Sequence, residues 1–110
     1  MVKQRELVLL SYPFSDLKSS KVRPVIVVSS DAYNQKFQDM IVVPVTSNLN
    51  FRDYALNLSG KDLETGHLIT ESVIKVDRIT SIRQSFVIKP IGKVRSEVLD
   101  NIRRILNTII

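Results

Sequence analysis

Residues 25–28, Val-Ile-Val-Val, are four consecutive β-branched residues, and they constrain the fold of this chain more than any other stretch. An unbroken apolar run of this kind is typical of a strand buried on both faces. Pro24 fixes the backbone where this strand is predicted to begin and cannot donate to a ladder. Because a residue before a proline is pushed into an extended conformation, Arg23 is predicted to be extended at the point where the strand emerges from the preceding loop. Its permanent charge then faces either solvent or a functional cleft, next to the basic loop 18–23.

Further short apolar runs, separated by polar turns, predict a mainly β fold. The predicted strands cover residues 6–10, 23–29, 41–46, 54–58, 67–69, 72–76, 79–82 and 86–94. The connections between them are too short for helical crossovers, so antiparallel pairing is expected. Pro44 lies inside the third strand, which predicts an edge or a bulge there. Such a bend would swing Thr46 and Ser47 outward.

Two helices are predicted. Ser30 or Asp31 can cap a short helical turn over residues 32–37. Near the end of the chain, apolar residues recur at spacings of three and four, which is the pattern of one apolar helix face. These residues are Val98, Leu99, Ile102, Ile105, Leu106 and Ile109. With Ser96 as its predicted N-cap, this helix closes a small, strongly bent β-sheet or barrel, and residues 1–110 form one domain.

Composition limits the classes of function. The chain has no cysteine and one histidine, which leaves almost no ligands for a zinc or haem site and excludes thiolate chemistry. A net charge of +5 and a pI near 9.7 favour a polyanionic partner, either nucleic acid or an acidic protein segment. The apolar runs are far too short for a membrane span, and the charged N-terminus lacks the apolar core of a signal peptide. A cytoplasmic protein is expected.

Several polar residues are candidates for a site, and each has a simpler structural explanation. The hydroxyls of Thr46 and Ser47 could hold a phosphate or cap a turn. If residues 72–78 are extended, Lys75 and Asp77 share one face. They then form either a site or a surface ion pair that contributes little energy. His67 follows a glycine and is more often structural or simply exposed than catalytic.

The basic loop 18–23 could follow a phosphate backbone or could be a solvated turn. Arginine, lysine, aspartate and hydroxyl groups together suit metal-free cleavage of RNA, because the substrate brings its own 2′-hydroxyl nucleophile. The protein then needs a base for that proton, a cation for the charge on phosphorus and an acid for the leaving 5′-oxygen. Three tyrosines and four phenylalanines make an extended stacking platform for single strands sparse.

Four segments together resemble the MazF/PemK (Kid) toxin family. They are K-V-R-P-V-I-V-V-S from Lys21, I-V-V-P-V-T-S-N from Ile41, E-S-V-I-K-V-D-R-I-T-S-I from Glu71 and I-G-K-V from Ile91. The resemblance implies an SH3-like, CcdB-like bent β-barrel with a C-terminal helix, present as a homodimer. It also implies an endoribonuclease that cuts single-stranded RNA at short sequences without metal or cofactor, leaving a 2′,3′-cyclic phosphate. A cognate antitoxin would inhibit it with an acidic segment laid over the RNA groove.

The resemblance also assigns roles to individual residues. Arg23 falls on the arginine that stabilises the scissile phosphate, and Thr46 on a catalytic or phosphate-positioning threonine. Lys75 and Asp77 match an arginine and an aspartate that act as acid and base, and Asp77 is the chemically sensible base because arginine stays protonated. The residues expected to contact RNA are Lys18, Lys21, Ser47, Asn48 and Arg78.

This sequence departs from the family pattern at three places. Kid-type members carry a histidine in the loop before Arg-Pro, and residues 14–22 have none. Lys75 replaces an arginine, and the two are not equivalent at a phosphate. The usual glycine near the start is absent at Arg5, a matter of local turn geometry. Two alternatives therefore stay open: a CcdB-like, non-enzymatic toxin that binds a protein such as gyrase, and an RNA-binding barrel that has lost catalysis.

Overall fold

The computed structural model describes residues 1–13, 20–50, 53–68 and 70–110, which form eight strands and two α-helices. The strands are β1 Glu6–Pro13, β2 Ser20–Val27, β3 Asp39–Thr46, β4 Ala55–Leu58, β5 Leu63–Gly66, β6 Ser72–Lys75, β7 Thr80–Arg83 and β8 Val87–Val94. The helices are α1 Asp31–Lys36 and α2 Ser96–Ile109. Three 3₁₀ turns cover Gly60–Asp62, Val76–Arg78 and Gln84–Phe86.

The strands form one antiparallel sheet in the order β4-β6-β3-β2-β1-β8-β5, with β7 also paired to β3. The predicted fold class, mainly β with a C-terminal helix on a bent sheet, is confirmed. Two clusters of buried side chains pack on the two faces of this sheet. The main cluster includes Leu7, Val43 and Ile74 and takes Val98 and Ile102 from α2. The second cluster lies under β7 and the start of β8.

Three residues of the four-residue run, Val25 to Val27, lie in β2 and are buried on both of its faces, whereas Val28 follows the strand and is partly buried. Ile26 belongs to the main cluster, whereas Val25 and Val27 belong to the second. The predicted start of this strand is wrong, because β2 begins at Ser20 and Pro24 pairs with Leu9 inside it. The recorded pairing of β2 with β3 starts directly after Pro24, at Val25. The proline therefore marks the end of one ladder and not the end of the strand.

The bulge predicted at Pro44 is also absent from the described pairing. Pro44 pairs with Val25 in a register with β2 that runs without a shift. On its other edge, β3 pairs with β7 up to Val42 and with β6 from Val45. Pro44 lies at this change of partner, where a missing N–H interrupts neither ladder.

No strand is described at residues 67–69, where one was predicted; the strand of this region is β5, a few residues earlier in the chain. β5 ends at Gly66, His67 and Leu68 follow it outside any strand, and Ile69 lies outside the described residues. Only Leu63 of β5 is buried, so this edge strand lacks the apolar alternation that predicts strands. Gly66 itself has φ +87°.

Both predicted helices form, α1 next to its predicted cap and α2 over the predicted apolar periodicity. Ser30 caps α1, its side chain accepting a hydrogen bond from the Tyr33 N–H at 3.1 Å. Ser96, predicted as the N-cap of α2, is instead its first helical residue, and Arg95 precedes it. At the start of the chain Arg5 has φ +75°, a conformation that favours glycine. The family that the sequence resembles usually has a glycine at this turn.

Candidate functional site

A surface cavity of about 730 Å³ lies where β2, β3 and β8 meet the connection between β5 and β6. Its floor is apolar and comes from the main-cluster face of the sheet, and its rim carries hydroxyl, imidazole and cationic groups. The lining residues are Leu9, Val22, Arg23, Pro24, Val45, Thr46, Ser47, Gly66, His67, Leu68, Thr70, Ser72, Lys89, Pro90 and Ile91. A cavity with this rim suits an anionic ligand that also has apolar surface.

Arg23 and Thr46 reach this cavity from neighbouring strands. The recorded pairs Val25–Pro44 and Ile26–Val43 fix the register of β2 against β3. Two further steps along the same register align Arg23 with Thr46. Because side chains alternate along a strand, both are then on one face of the sheet, that of Leu10 and the second cluster, whereas the cavity floor is on the face of Val45. Both residues nevertheless line the cavity, so the structure places these two predicted site residues at the same opening.

Thr46 and its neighbours also shape the turn after β3. The Thr46 hydroxyl accepts a hydrogen bond from the Asn48 backbone N–H at 3.1 Å, and the Asn48 side-chain oxygen accepts one from the Asn50 N–H at 3.0 Å. The structural role of turn capping is thus present. In this bond the Thr46 hydroxyl is the acceptor. Its proton can still be donated to a ligand, because a hydroxyl can accept and donate at the same time. Ser47 is exposed on the cavity rim.

Lys75 and Asp77 are arranged differently from the prediction. The expected extended segment ends at Lys75, and Val76–Arg78 forms a 3₁₀ turn. Strand alternation therefore does not put the lysine and the carboxylate on one face, because the 3₁₀ turn rotates Asp77 away from the strand pattern. Neither residue is among the described residues that line the cavity. The Oδ1 atom of Asp77 is buried, whereas Arg78 is exposed.

Part of the predicted basic loop before Arg23 lies outside the described residues. Lys18 lies outside the described residues, and the description of Lys21 is limited to its backbone in β2. Residues 20–23, predicted as part of a loop, belong to this strand. Arg23 itself is exposed, in register with Leu10 of β1. The predicted RNA contacts of Lys18 and Lys21 stay predictions.

Three residues of this region with ionisable side chains were not predicted as site residues from the sequence. His67 and Lys89 line the cavity, and Glu71 lies exposed between the lining residues Thr70 and Ser72. The signal for His67 was Gly66, which marks a backbone fixed in an unusual conformation directly before it. Lys89 pairs with Leu9 across two strands distant in sequence, so no local pattern could place it.

Two searches for other kinds of site gave negative results over the described ranges. No group of three histidine, aspartate or glutamate side chains there could hold a metal ion. No helix in that part of the chain is long and apolar enough to cross a membrane.

Comparison with known proteins supplies the family. Residues 3–110 match the family described as PemK-like, MazF-like toxin of type II toxin–antitoxin system. No curated protein matches the chain at a significant level.

Solved structures of low sequence identity share the fold. One is an endoribonuclease in complex with its cognate antitoxin from a mycobacterial species, with TM-score 0.76, 17% identity and coverage of 98% of this chain and 93% of that chain. A second is MazE–MazF (form II) from Deinococcus radiodurans, with TM-score 0.75, 23% identity and coverage of 98% and 93%. A third is the Mycobacterium tuberculosis toxin MazF-mt6, with TM-score 0.76, 14% identity and coverage of 94% of each chain.

The family match spans nearly the whole chain, and the bent sheet with its C-terminal helix agrees with the folds of these toxins. The segments that carry Arg23 and Thr46 lie within the matched residues and meet at one cavity. This chain therefore belongs to the PemK-like, MazF-like toxin family of type II toxin–antitoxin systems.

Proposed function

We propose that this protein is a sequence-specific, metal-independent endoribonuclease toxin that cleaves single-stranded RNA, such as mRNA. The observation that carries the proposal is the meeting of Arg23, Thr46 and Ser47 on the rim of one cavity in a chain of this toxin family. A guanidinium beside two hydroxyls matches the charge and hydrogen-bonding needs of a phosphodiester. The net charge of +5 supports an anionic substrate.

The reaction divides among these groups as follows. The 2′-hydroxyl of the substrate loses its proton to a base and attacks the adjacent phosphorus. Arg23 stabilises the negative charge that develops on the phosphoryl oxygens, and Thr46 donates a hydrogen bond that holds the phosphate in line. The bond from phosphorus to the 5′-oxygen breaks, and an acid protonates that oxygen. The products are a 2′,3′-cyclic phosphate and a 5′-hydroxyl.

The base is a carboxylate, and the chain offers two candidates. Asp77, with Lys75 beside it, is the base that the family resemblance assigns. Glu71 is the carboxylate nearest in sequence to the cavity wall, because Thr70 and Ser72 on either side of it line the cavity. The isosteric variants Glu71→Gln and Asp77→Asn distinguish the two, since each removes the proton acceptor with little change in shape.

The partners follow from the same proposal. RNA would also contact Lys18, Lys21, Ser47, Asn48 and Arg78. A cognate antitoxin with an acidic C-terminal segment would cover the basic RNA surface, and the solved relatives include an endoribonuclease bound to its antitoxin and a MazE–MazF complex. We further propose that the toxin is a homodimer and acts in the cytoplasm, where its substrate is found.

The test is cleavage of a long single-stranded RNA by the purified protein in excess EDTA, with analysis of the new ends. We expect discrete cuts that leave 2′,3′-cyclic phosphates. Arg23→Ala should lower kcat/KM by about 10²–10³ because it removes a donor aimed at the transition-state charge. Loss of the base should lower kcat by about 10²–10⁴ in one of the two carboxylate variants and leave the other near wild type.

Two results would contradict the proposal. A well-folded wild-type protein that cuts no RNA, yet stays toxic in cells, would favour the CcdB-like alternative. Removal of residues 108–110 would then be expected to abolish toxicity. A protein that binds RNA with a salt-dependent affinity but forms no product would instead be the RNA-binding barrel without catalysis.

A further inference from the structure

Arg23, Thr46 and Ser47 supply charge stabilisation and hydrogen bonds, but no group that exchanges a proton readily near neutral pH. Among the described residues that line the cavity, no aspartate or glutamate occurs, and the cationic residues are Arg23 and Lys89. His67 is the one lining residue with an imidazole, the side chain that most often serves as a general acid or base in enzymes. It is also the single histidine of the chain.

The backbone on both sides of His67 is held in place. Before it, Gly66 has φ +87°, and a Cβ built on it would lie 2.3 Å from the Ile91 carbonyl oxygen. β5 therefore pairs with β8 at a distance that only glycine permits at this position. After it, Leu68 packs against the main core cluster. The backbone of His67 therefore lies between two anchored residues, and its exposed side chain belongs to the lining of the cavity.

We propose that His67 is the general acid of the RNA cleavage reaction, a step that rests on the proposed function. The imidazolium donates its proton to the 5′-oxygen as the bond from phosphorus to that oxygen breaks. The proton of the attacking 2′-hydroxyl goes to the carboxylate base, so the histidine ends neutral and the base ends protonated. Solvent then returns both groups to their starting states.

The charged groups around His67 are compatible with this role. Arg23 of β2 and Lys89 of β8 line the same cavity, and Glu71 lies on the same connection as His67. The cations hold the phosphate, and the imidazolium adds a third positive group that can release its charge by transferring a proton to the substrate.

The test uses two RNA substrates with the same sequence. One is ordinary RNA, and the other carries sulfur in place of the 5′-bridging oxygen at the cut site. A thiolate leaves without protonation, so a variant that lacks only the general acid should recover on the sulfur substrate. We expect His67→Gln to lower kcat on ordinary RNA by about 10²–10⁴ with little change in KM, and by less than about tenfold on the sulfur substrate.

A control keeps the readout specific. Arg23→Ala should be slow on both substrates, because both reactions place negative charge on phosphorus. Equal losses for His67→Gln on the two substrates, or no loss on either, would overturn the role of His67 while leaving the ribonuclease function intact. Wild-type protein that cuts neither substrate would overturn the proposed function and this inference with it.

Discussion

Polar side chains cluster in two regions of this molecule, and the two regions use them in opposite ways. One is the cavity rim described above, where hydroxyl, imidazole and cationic groups face an open space. The other, which we term the polar lock, consists of Asn34 of α1 together with Ser29 and Gln84, which bond to it. In the polar lock the side chains bond to each other and to backbone groups of the protein.

Gln84 is the centre of the polar lock. Its Nε2 atom is within hydrogen-bonding distance of three backbone carbonyls, those of Asn34 at 2.8 Å, Phe37 at 3.1 Å and Asp39 at 3.2 Å. Its Oε1 atom accepts from the Val2 N–H at 3.1 Å. One side chain thus ties the N-terminus, α1 and the start of β3 together.

Ser29 and Asn34 complete the polar lock. Both are buried, at 7% and 1% exposure, and they bond to each other through the Ser29 hydroxyl and the Asn34 side-chain oxygen. The Asn34 amide donates to the Ser29 carbonyl at 3.1 Å, and the Ile41 N–H donates to the Ser29 hydroxyl at 3.0 Å. Buried polar groups that satisfy one another in this way stabilise a fold.

The comparison teaches which polar residues to mutate for which purpose. Removing a member of the polar lock leaves buried groups unpaired, so it lowers the free energy of unfolding. Removing a group on the cavity rim exposes nothing buried, so it lowers activity in a protein of near-native stability. A substitution at Gly66 should affect both stability and activity, because Gly66 packs against β8 and directly precedes His67 on the cavity wall.

The largest effect on stability is expected for Gly66→Ala. The new methyl group would overlap the Ile91 carbonyl oxygen, and alanine disfavours a φ of +87°. Strain and overpacking together should lower the free energy of unfolding by about 2–5 kcal/mol, measured by urea unfolding. The displaced His67 should also lower RNA cleavage per folded molecule.

Gly60→Ala is the matched control for that variant. Nothing lies within 4 Å of a Cβ built there. We therefore expect a change in the free energy of unfolding of less than about 1 kcal/mol, with a stabilising sign. If the two alanine variants unfolded at the same urea concentration, the close approach of Gly66 in β5 to its paired strand β8 would be contradicted.

A smaller loss is expected in the polar lock. Gln84→Ala removes hydrogen bonds to the N–H of Val2 and to carbonyls of α1 and β3, and because these bonds are only partly buried we expect a loss of about 1–2 kcal/mol. RNA cleavage per folded molecule should stay within about twofold of wild type. The exposed neighbour Ser85→Ala is the control and should change stability by less than about 0.5 kcal/mol. A Gln84→Ala protein that unfolds like wild type but cleaves slowly would reverse the roles of the two regions.

Much of the fold could be predicted from the sequence because its signals are local. The β-branched run of β2, the apolar spacing of α2 and the Ser30 cap each depend on neighbouring residues, and all three are confirmed. The effect of Pro44 could not be predicted in the same way. It depends on which two strands share the edge of β3, and that is a property of the whole sheet.

The site was predictable only in part. Arg23 and Thr46 come from two strand segments whose pairing brings them together at the cavity. The expected shared face of Lys75 and Asp77 failed, because a 3₁₀ turn begins at Val76 and ends the strand alternation on which it relied. The place of His67 on the cavity wall could not be predicted from the sequence. It depends on the close pairing of β5 with β8 at Gly66, and these strands are distant in sequence.

The most direct test of the account is where RNA binds. We would titrate ¹⁵N-labelled protein with a single-stranded oligonucleotide whose riboses are 2′-O-methylated, because this ligand lacks the nucleophile and stays intact. The account predicts amide shift changes that centre on Arg23, Thr46, Ser47 and His67, with none at Ser29, Asn34 or Gln84. Shift changes concentrated around the polar lock, with the cavity rim unmoved, would contradict it.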